Sequence, residues 1–218
     1  GKWGFIDKTG KVVVGPKYDN AGSFSEGFAE VSQNYKFGFI DKMGKEIIKP
    51  QFDEVGSFSE GMAYMRKGDK YGFIDKTGKI VVAPEYDYAG RFSGGLAAVE
   101  QSYKWGFIDK TGKVVIELQY GNYSGFREGV APVSLNGKHG YIDKTGKAVI
   151  PLQYEGGDYF YDGMAAVKKS GKWGFINKTG KFIIEPQYDF AGGFKGGKAK
   201  VTLNGREFFI DKTGKEIG

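Results

Sequence analysis

Two columns of carboxylates are the residues best placed to do chemistry in this 218-residue chain. Asp19, Asp53, Asp87 and Asp189, with Glu155 in the matching place, recur beside Glu26, Glu60, Glu128 and Asp162. Acids about 5–9 Å apart could cleave a glycosidic bond. A column repeated once per unit is better explained by side chains that bind the amides of turns. Catalysis needs one convergence of acid, base or nucleophile, and here the polar residues are spread by column. His139 is the only histidine, so a metal cage or a Ser-His-Asp triad would rest on one imidazole standing where an aromatic usually stands. The Asp-rich spacing of calcium loops is missing, and no glycine cluster precedes a helix to cradle phosphate. Zero cysteines exclude disulfides and thiolate chemistry. The expectation is a protein that is not an enzyme, with no catalytic, metal-binding or cofactor-binding residues and no cofactor.

Aromatic columns are the second source of chemistry. Trp3, Phe37, Tyr71, Trp105, His139 and Trp173 form one, and the Tyr18 and Phe24 positions start two more. The invariant Phe24 column reads as core, because each ring buries about 150–250 Å². The Trp3 column also accepts His139 and Glu207, so Trp3, Trp105 and Trp173 are expected to be partly exposed and able to stack on a sugar or a base. Copies differ most between the Tyr18-type and Phe24-type aromatics. That stretch and its flank supply Tyr88, Arg91, Tyr123, Asp158, Tyr159 and Tyr161 as candidate binding residues, of types enriched in hot spots.

What positions them is a repeat. Gly10, Gly44, Gly78, Gly112, Gly146, Gly180 and Gly214 follow one another at a constant 34-residue step through one repeat domain, 1–218. A period of about 20–50 residues marks solenoids, propellers or arrays. In one copy, Lys70–Asp75 and Lys79–Val82 flank a Lys-Thr-Gly turn, a hairpin whose glycine supplies the positive φ. A run such as Leu96–Glu100 precedes each hairpin, which makes a three-stranded meander. The segment around Pro84 adds a candidate edge strand. No segment has helical periodicity, so the fold class is all-β. Apolar residues on both faces of runs such as Phe73-Ile74 require a neighbour on each side, and the sheets are expected to stack face to face. The glycine after each column aromatic, from Gly4 to Gly174, is expected to leave room for a neighbouring ring. A β-propeller-like ring of six to seven small blades would satisfy this packing, with an open β-solenoid or superhelix as the alternative.

The formal charge of +6 invites an acidic partner, yet 21 of 32 basic residues fall in three fixed lysine-rich columns mixed with aspartates. Nucleic acid is therefore not the expected partner. No apolar run is long enough to span a bilayer.

Trp3-Gly4-Phe5-Ile6-Asp7-Lys8-Thr9-Gly10-Lys11, Pro16-Lys17-Tyr18-Asp19 and Phe24-Ser25-Glu26-Gly27-Phe28-Ala29 resemble the WG (or KWG) repeat of bacterial proteins along the whole chain. The resemblance implies a tandem module that binds other molecules and carries no catalytic motif. The expected function is an interaction scaffold for a protein partner, with a carbohydrate or cell-envelope module as the alternative. Bacterial cytoplasm and cell envelope are both compatible with the composition.

Overall fold

The computed structural model describes residues 1–123 and 125–217, and every regular element in them is a β-strand. The chain forms two compact units, 1–118 and 119–218, each described by itself. A typical repeat is the four-stranded antiparallel sheet of Glu54–Val55, Met62–Lys67, Lys70–Asp75 and Ile80–Tyr86, hydrogen-bonded in chain order. The same order recurs over 20–52, 88–120, 122–154, 156–188 and 190–217, and Trp3–Ile6 pairs with Val12–Tyr18 in a two-stranded sheet. The expected meander is thus present, and its fourth strand is the two-residue piece from the variable stretch.

Each hairpin is closed by the turn chemistry that its sequence offers. Asp75 Oδ1 accepts from Thr77 N (2.8 Å), Thr77 Oγ1 (2.6 Å) and Lys79 N (3.1 Å), while Gly78 takes φ +85°. Asn177 keeps the pattern, accepting from Thr179 N at 3.0 Å and Thr179 Oγ1 at 2.7 Å. An amide oxygen can serve in this turn because the job is acceptance, not charge.

The glycine of the Trp-Gly pair serves backbone approach. Phe37 pairs with Phe52 and Phe39 with Ile48, so the stretch around Pro50 bulges opposite Gly38. A Cβ on Gly38 would lie 2.3 Å from the Ile48 carbonyl oxygen, and one on Gly72 would lie 2.4 Å from that of Val82. The expectation that these glycines make room for a ring is corrected: they make room for the main chain of the adjacent bulged strand. In the last repeat Phe208 occupies this position, and the strand beside it spans only Glu216–Ile217.

Within each unit, consecutive sheets stack face to face and the core lies between them. Met65 and Ile74 of one sheet bury against Phe39 and Ile48 of the sheet before it. Ring pairs cross the same seams, Phe39 on Phe58 at 4.7 Å, Phe73 on Phe92 at 4.9 Å and Phe175 on Phe194 at 4.9 Å. Of the Phe24 column, Phe58, Phe92, Phe160 and Phe194 are buried as expected, whereas Phe126 is half-buried and Phe24 is 38% exposed.

A polar clasp reinforces the seam. Glu26 accepts from Glu60 N (2.6 Å) and Gly61 N (2.9 Å) of the next repeat and pairs with Lys76 (3.1 Å). Glu60 repeats this with Gly94 N, Gly95 N and Lys110. In the second unit Glu128 holds Gly163 N and Lys178, and Asp162 holds Gly197 N. Ser25 and Ser59 donate from Oγ to the Phe58 and Phe92 carbonyls, each at 2.8 Å.

Gly72→Ala should cost about 3 kcal/mol through its clash with main chain. Gly61→Ala, at φ +86° in open space, should cost only about 1–2 kcal/mol. Urea unfolding of both variants checks this, and equal losses would show that close approach is not what Gly72 serves.

Candidate functional site

The carboxylates that could have been catalytic are bound into the frame. Asp19, Asp53, Asp87 and Asp189 accept from the amides of Asn34, Gly68, Ser102 and Asn204, and each also takes a lysine: Lys2, Lys36, Lys70 or Lys172. Their pKa values are lowered, first by the lysine and then by the turn amide. Glu155 instead caps Ser170 N and Gly171 N, both at 2.9 Å. Glu60 is held below its usual range mainly by Gly95 N–H, with Gly94 N–H and the Lys110 ammonium adding to it against an opposing desolvation. Asp19, Asp53, Asp87, Asp189 and Glu60 are thus held on the acid side of their usual range, away from neutrality, where a general acid or base works best. His139 sits half-buried in the Trp column, cross-strand from Tyr154, and burial pushes its pKa down.

In the first unit the structure joins three of the candidate residues to others that the sequence did not single out. Tyr64, Tyr71, Tyr88 and Trp105 form a row with successive ring centroids 5.9, 5.9 and 5.3 Å apart. Tyr71 donates to Glu54 at 2.9 Å, and Arg66 pairs with the same carboxylate at 3.2 Å. Arg91 donates to Ser57 Oγ at 3.3 Å and acts electrostatically on half-buried Glu30, whose pKa is raised by burial. Tyr88 is 46% exposed. Trp3, at 57%, is the most exposed of the tryptophans and belongs to no such row among the described residues, while Trp173 meets Phe190 at 6.3 Å. The Tyr123 backbone pairs with Val133, and its side chain lies outside the described residues.

In the second unit, Asp158 and Tyr161 line a concavity of about 530 Å³ together with Arg127, Asp162, Lys195 and Gly196. Arg127 lies over the Tyr161 ring at 4.1 Å, and Tyr159 meets Tyr161 edge to face at 6.1 Å. Asp158 Oδ1 accepts from Tyr159 N at 2.7 Å. Sequence reasoning missed Arg127 and Lys195. Their signal was a column: Ser25, Ser59 and Ser93 are followed at the same step by Arg127, Tyr161 and Lys195. The position that ties sheets together in the first unit carries large polar side chains in the second.

A family model described as a WG containing repeat matches residues 3–37, 37–71, 71–105, 105–138, 140–173 and 173–206. A comparison with curated proteins gives no match. Among solved structures, the chain is similar to one titled as the eukaryotic initiation factor, with 10% identity and TM-score 0.51, over 92% of this chain and 64% of that one. It is also similar to Hsv2p of Kluyveromyces lactis, with 11% identity and TM-score 0.48, over 89% of this chain and 75% of that one. At such identities the likeness to the first is one of fold alone. Among the described residues no helix is long and apolar enough to cross a membrane.

The lowered carboxylates make part of the stability depend on acid pH. A group whose pKa falls on folding adds stability above its unfolded value, near 4.5 for Glu60 and 3.8 for Asp87, and that stability is lost as pH falls through the lower folded value. Urea midpoints should therefore stay flat from neutral pH down to about 5 and drop below about 4. A Glu26→Gln, Glu60→Gln double variant should start lower at neutral pH and show a shallower acid slope. An unchanged slope would show that these clasps do not titrate with folding.

Proposed function

This chain belongs to the WG containing repeat family, and from that premise we propose that it is a non-catalytic scaffold that presents repeat-specific side chains to a protein partner. The observation that carries the reading is the concavity at Arg127, Tyr161 and Lys195. It is lined where the copies differ, while the shared polar residues are held by turn amides and neighbouring lysines. Positions common to all copies answer the packing problem that all copies share, so recognition falls to the exceptions. Arg and Tyr are the residue types that anchor protein interfaces. Asp158, Tyr159 and Tyr161 belong to this surface. Catalysis is not part of the proposal, because the repeated acids already act as acceptors within the frame.

A second reading, a carbohydrate or cell-envelope module, is favoured by the Tyr64, Tyr71, Tyr88 and Trp105 row of the first unit. Partly exposed rings beside the Glu54 carboxylate are the elements from which sugar platforms are made.

A photo-crosslinking residue placed at Tyr159, and a second at Tyr88 in a separate variant, discriminate between the two. The scaffold reading expects peptide adducts from position 159. Glycan adducts from position 88, with a polysaccharide-induced change in tryptophan fluorescence and no protein adduct at 159, would replace it with the carbohydrate reading.

A further inference from the structure

Resting on the scaffold reading, we propose that the concavity of the second unit is a receptor for a peptide carboxylate, held by the Arg127 guanidinium, the Lys195 ammonium and the Gly196 amide. The acids in and beside it are already engaged. Glu128 accepts from Gly163 N at 3.2 Å and pairs with Lys178 at 3.2 Å, Asp162 Oδ2 accepts from Gly197 N at 2.9 Å, and Asp158 Oδ1 accepts from Tyr159 N. The basic groups are in the opposite condition. Among the described residues neither Arg127 nor Lys195 pairs with a carboxylate, although both line the same 530 Å³ space. Of the acids in the lining only Glu128 is paired with a cation among the described residues, so what the concavity offers an outside group is hydrogen-bond donors that lack a carboxylate acceptor, not a surplus of positive charge.

Arg127 is also prepared for one. Its guanidinium lies over the Tyr161 ring at 4.1 Å, which restrains the plane while leaving its N–H edge open to a carboxylate. The ring itself is held at this place by a glycine: a Cβ on Gly193 would lie 2.5 Å from Tyr161 Cδ2. A lysine at 127 would keep the charge and lose the fork.

The third donor lies where the first unit makes a second clasp bond and the second unit does not. In the first unit Glu60 uses both carboxylate oxygens, one on Gly94 N at 2.5 Å and the other on Gly95 N at 2.9 Å. Asp162 occupies the matching position in the second unit and accepts from Gly197 N alone among the described residues, as Glu128 there accepts from Gly163 N alone. The Gly196 N–H, which corresponds to Gly94 N–H, is left in the lining of the concavity with no acceptor among the described residues. Guanidinium, ammonium and amide together make an acceptor-seeking triad, whereas the serines of this column in the first unit are turned to carbonyls of the frame.

Fluorescence polarisation of the full chain with three labelled decapeptides tests the proposal: a glutamate-rich peptide with an amidated C-terminus, its glutamine counterpart, also amidated, and the glutamine peptide with a free C-terminus. Binding of the first or the third, but not the second, is expected, and which of the two binds tells a side-chain carboxylate from a terminal one. An Arg127→Ser, Lys195→Ser double variant, which restores the first unit's residue, should weaken binding about tenfold or more, and Arg127→Lys should fall between. Asp162→Glu, by capping Gly196 N–H, should weaken it about threefold to tenfold. Rising salt should weaken it further. Unchanged urea midpoints in these variants separate lost contacts from lost fold. Equal binding of all three peptides, or equal binding by the double variant, overturns the carboxylate assignment while protein crosslinking from position 159 keeps the scaffold reading. No binding of any peptide overturns the assignment too, and if crosslinking at 159 is also absent, the scaffold reading fails with it.

Discussion

A sheet of four short strands has two apolar faces and little else, and burying both against its neighbours is the constraint that shapes every repeat here. Backbone ordering costs about 1–2 kcal/mol per residue, which a single small sheet cannot recover from its own side chains. The seam between consecutive sheets recovers it, with Phe39 on Phe58 or Phe73 on Phe92 at its centre. At its margin the Glu26 and Glu60 carboxylates grip the next turn. The grip works because the turn sits in the left-handed region, with Glu60 at φ 53° and Gly61 at φ 86°, which leaves its amides free of internal partners. A backbone conformation that is costly for glutamate thus supplies the donors that fasten one repeat to the next.

What could be read from the sequence was what the period repeats. The step fixed the turn glycines, and alternating apolar runs fixed the strands and the need for stacking. The Asp19 and Glu26 columns were readable as turn acceptors, since an acid repeated once per unit suits one hydrogen-bonding role better than a series of active sites. Two things escaped. The glycine of the Trp-Gly pair was assigned to ring packing because its neighbours in sequence are aromatic, whereas its cause is the bulge around Pro50-type residues on the adjacent strand. A bulge is a property of pairing, and no single strand announces it. Arg127 and Lys195 escaped because their column follows the Phe24-type aromatic, two residues beyond the end of the variable stretch, and only its Tyr161 was singled out.

The two units put one column to opposite uses. Where it holds Ser25 and Ser59, the hydroxyl ends on a carbonyl of the next repeat at 2.8 Å, a bond whose net worth is about 1 kcal/mol. Arg127 and Tyr161 cannot make that bond in the same way. They offset it by stacking on each other at 4.1 Å, a contact worth about 0.5–1 kcal/mol where exposed. The exchange is close to neutral for the frame, which is why a repeat protein can vary such a column without losing its fold. The shared seam, by contrast, tolerates little change.

Variation at these columns is coupled, and the coupling is steric. A Cβ on Gly56 would lie 2.2 Å from Tyr64 Cε1, and one on Gly22 would lie 2.4 Å from Glu30 Cγ, so Tyr64 and Glu30 each require glycine across from them. At Gly90 the facing residue is Ala98, and an added Cβ would lie 3.8 Å from the alanine Cβ, an ordinary contact. Asp158 occupies the same column, its amide bonded to the Ala166 carbonyl at 3.0 Å as Gly56 N is bonded to Tyr64 O at 3.0 Å. A side chain is admitted at 158 because alanine faces it. Moving Tyr64's bulk to position 166 would close the space that Asp158 occupies, just as replacing Gly193 would displace the Tyr161 ring. The recognition surface of the second unit is therefore set by small residues as much as by large ones: Ala166 and Gly193 decide which side chains of the frame can stand up from it, and Arg127, Asp158 and Tyr161 are those that do.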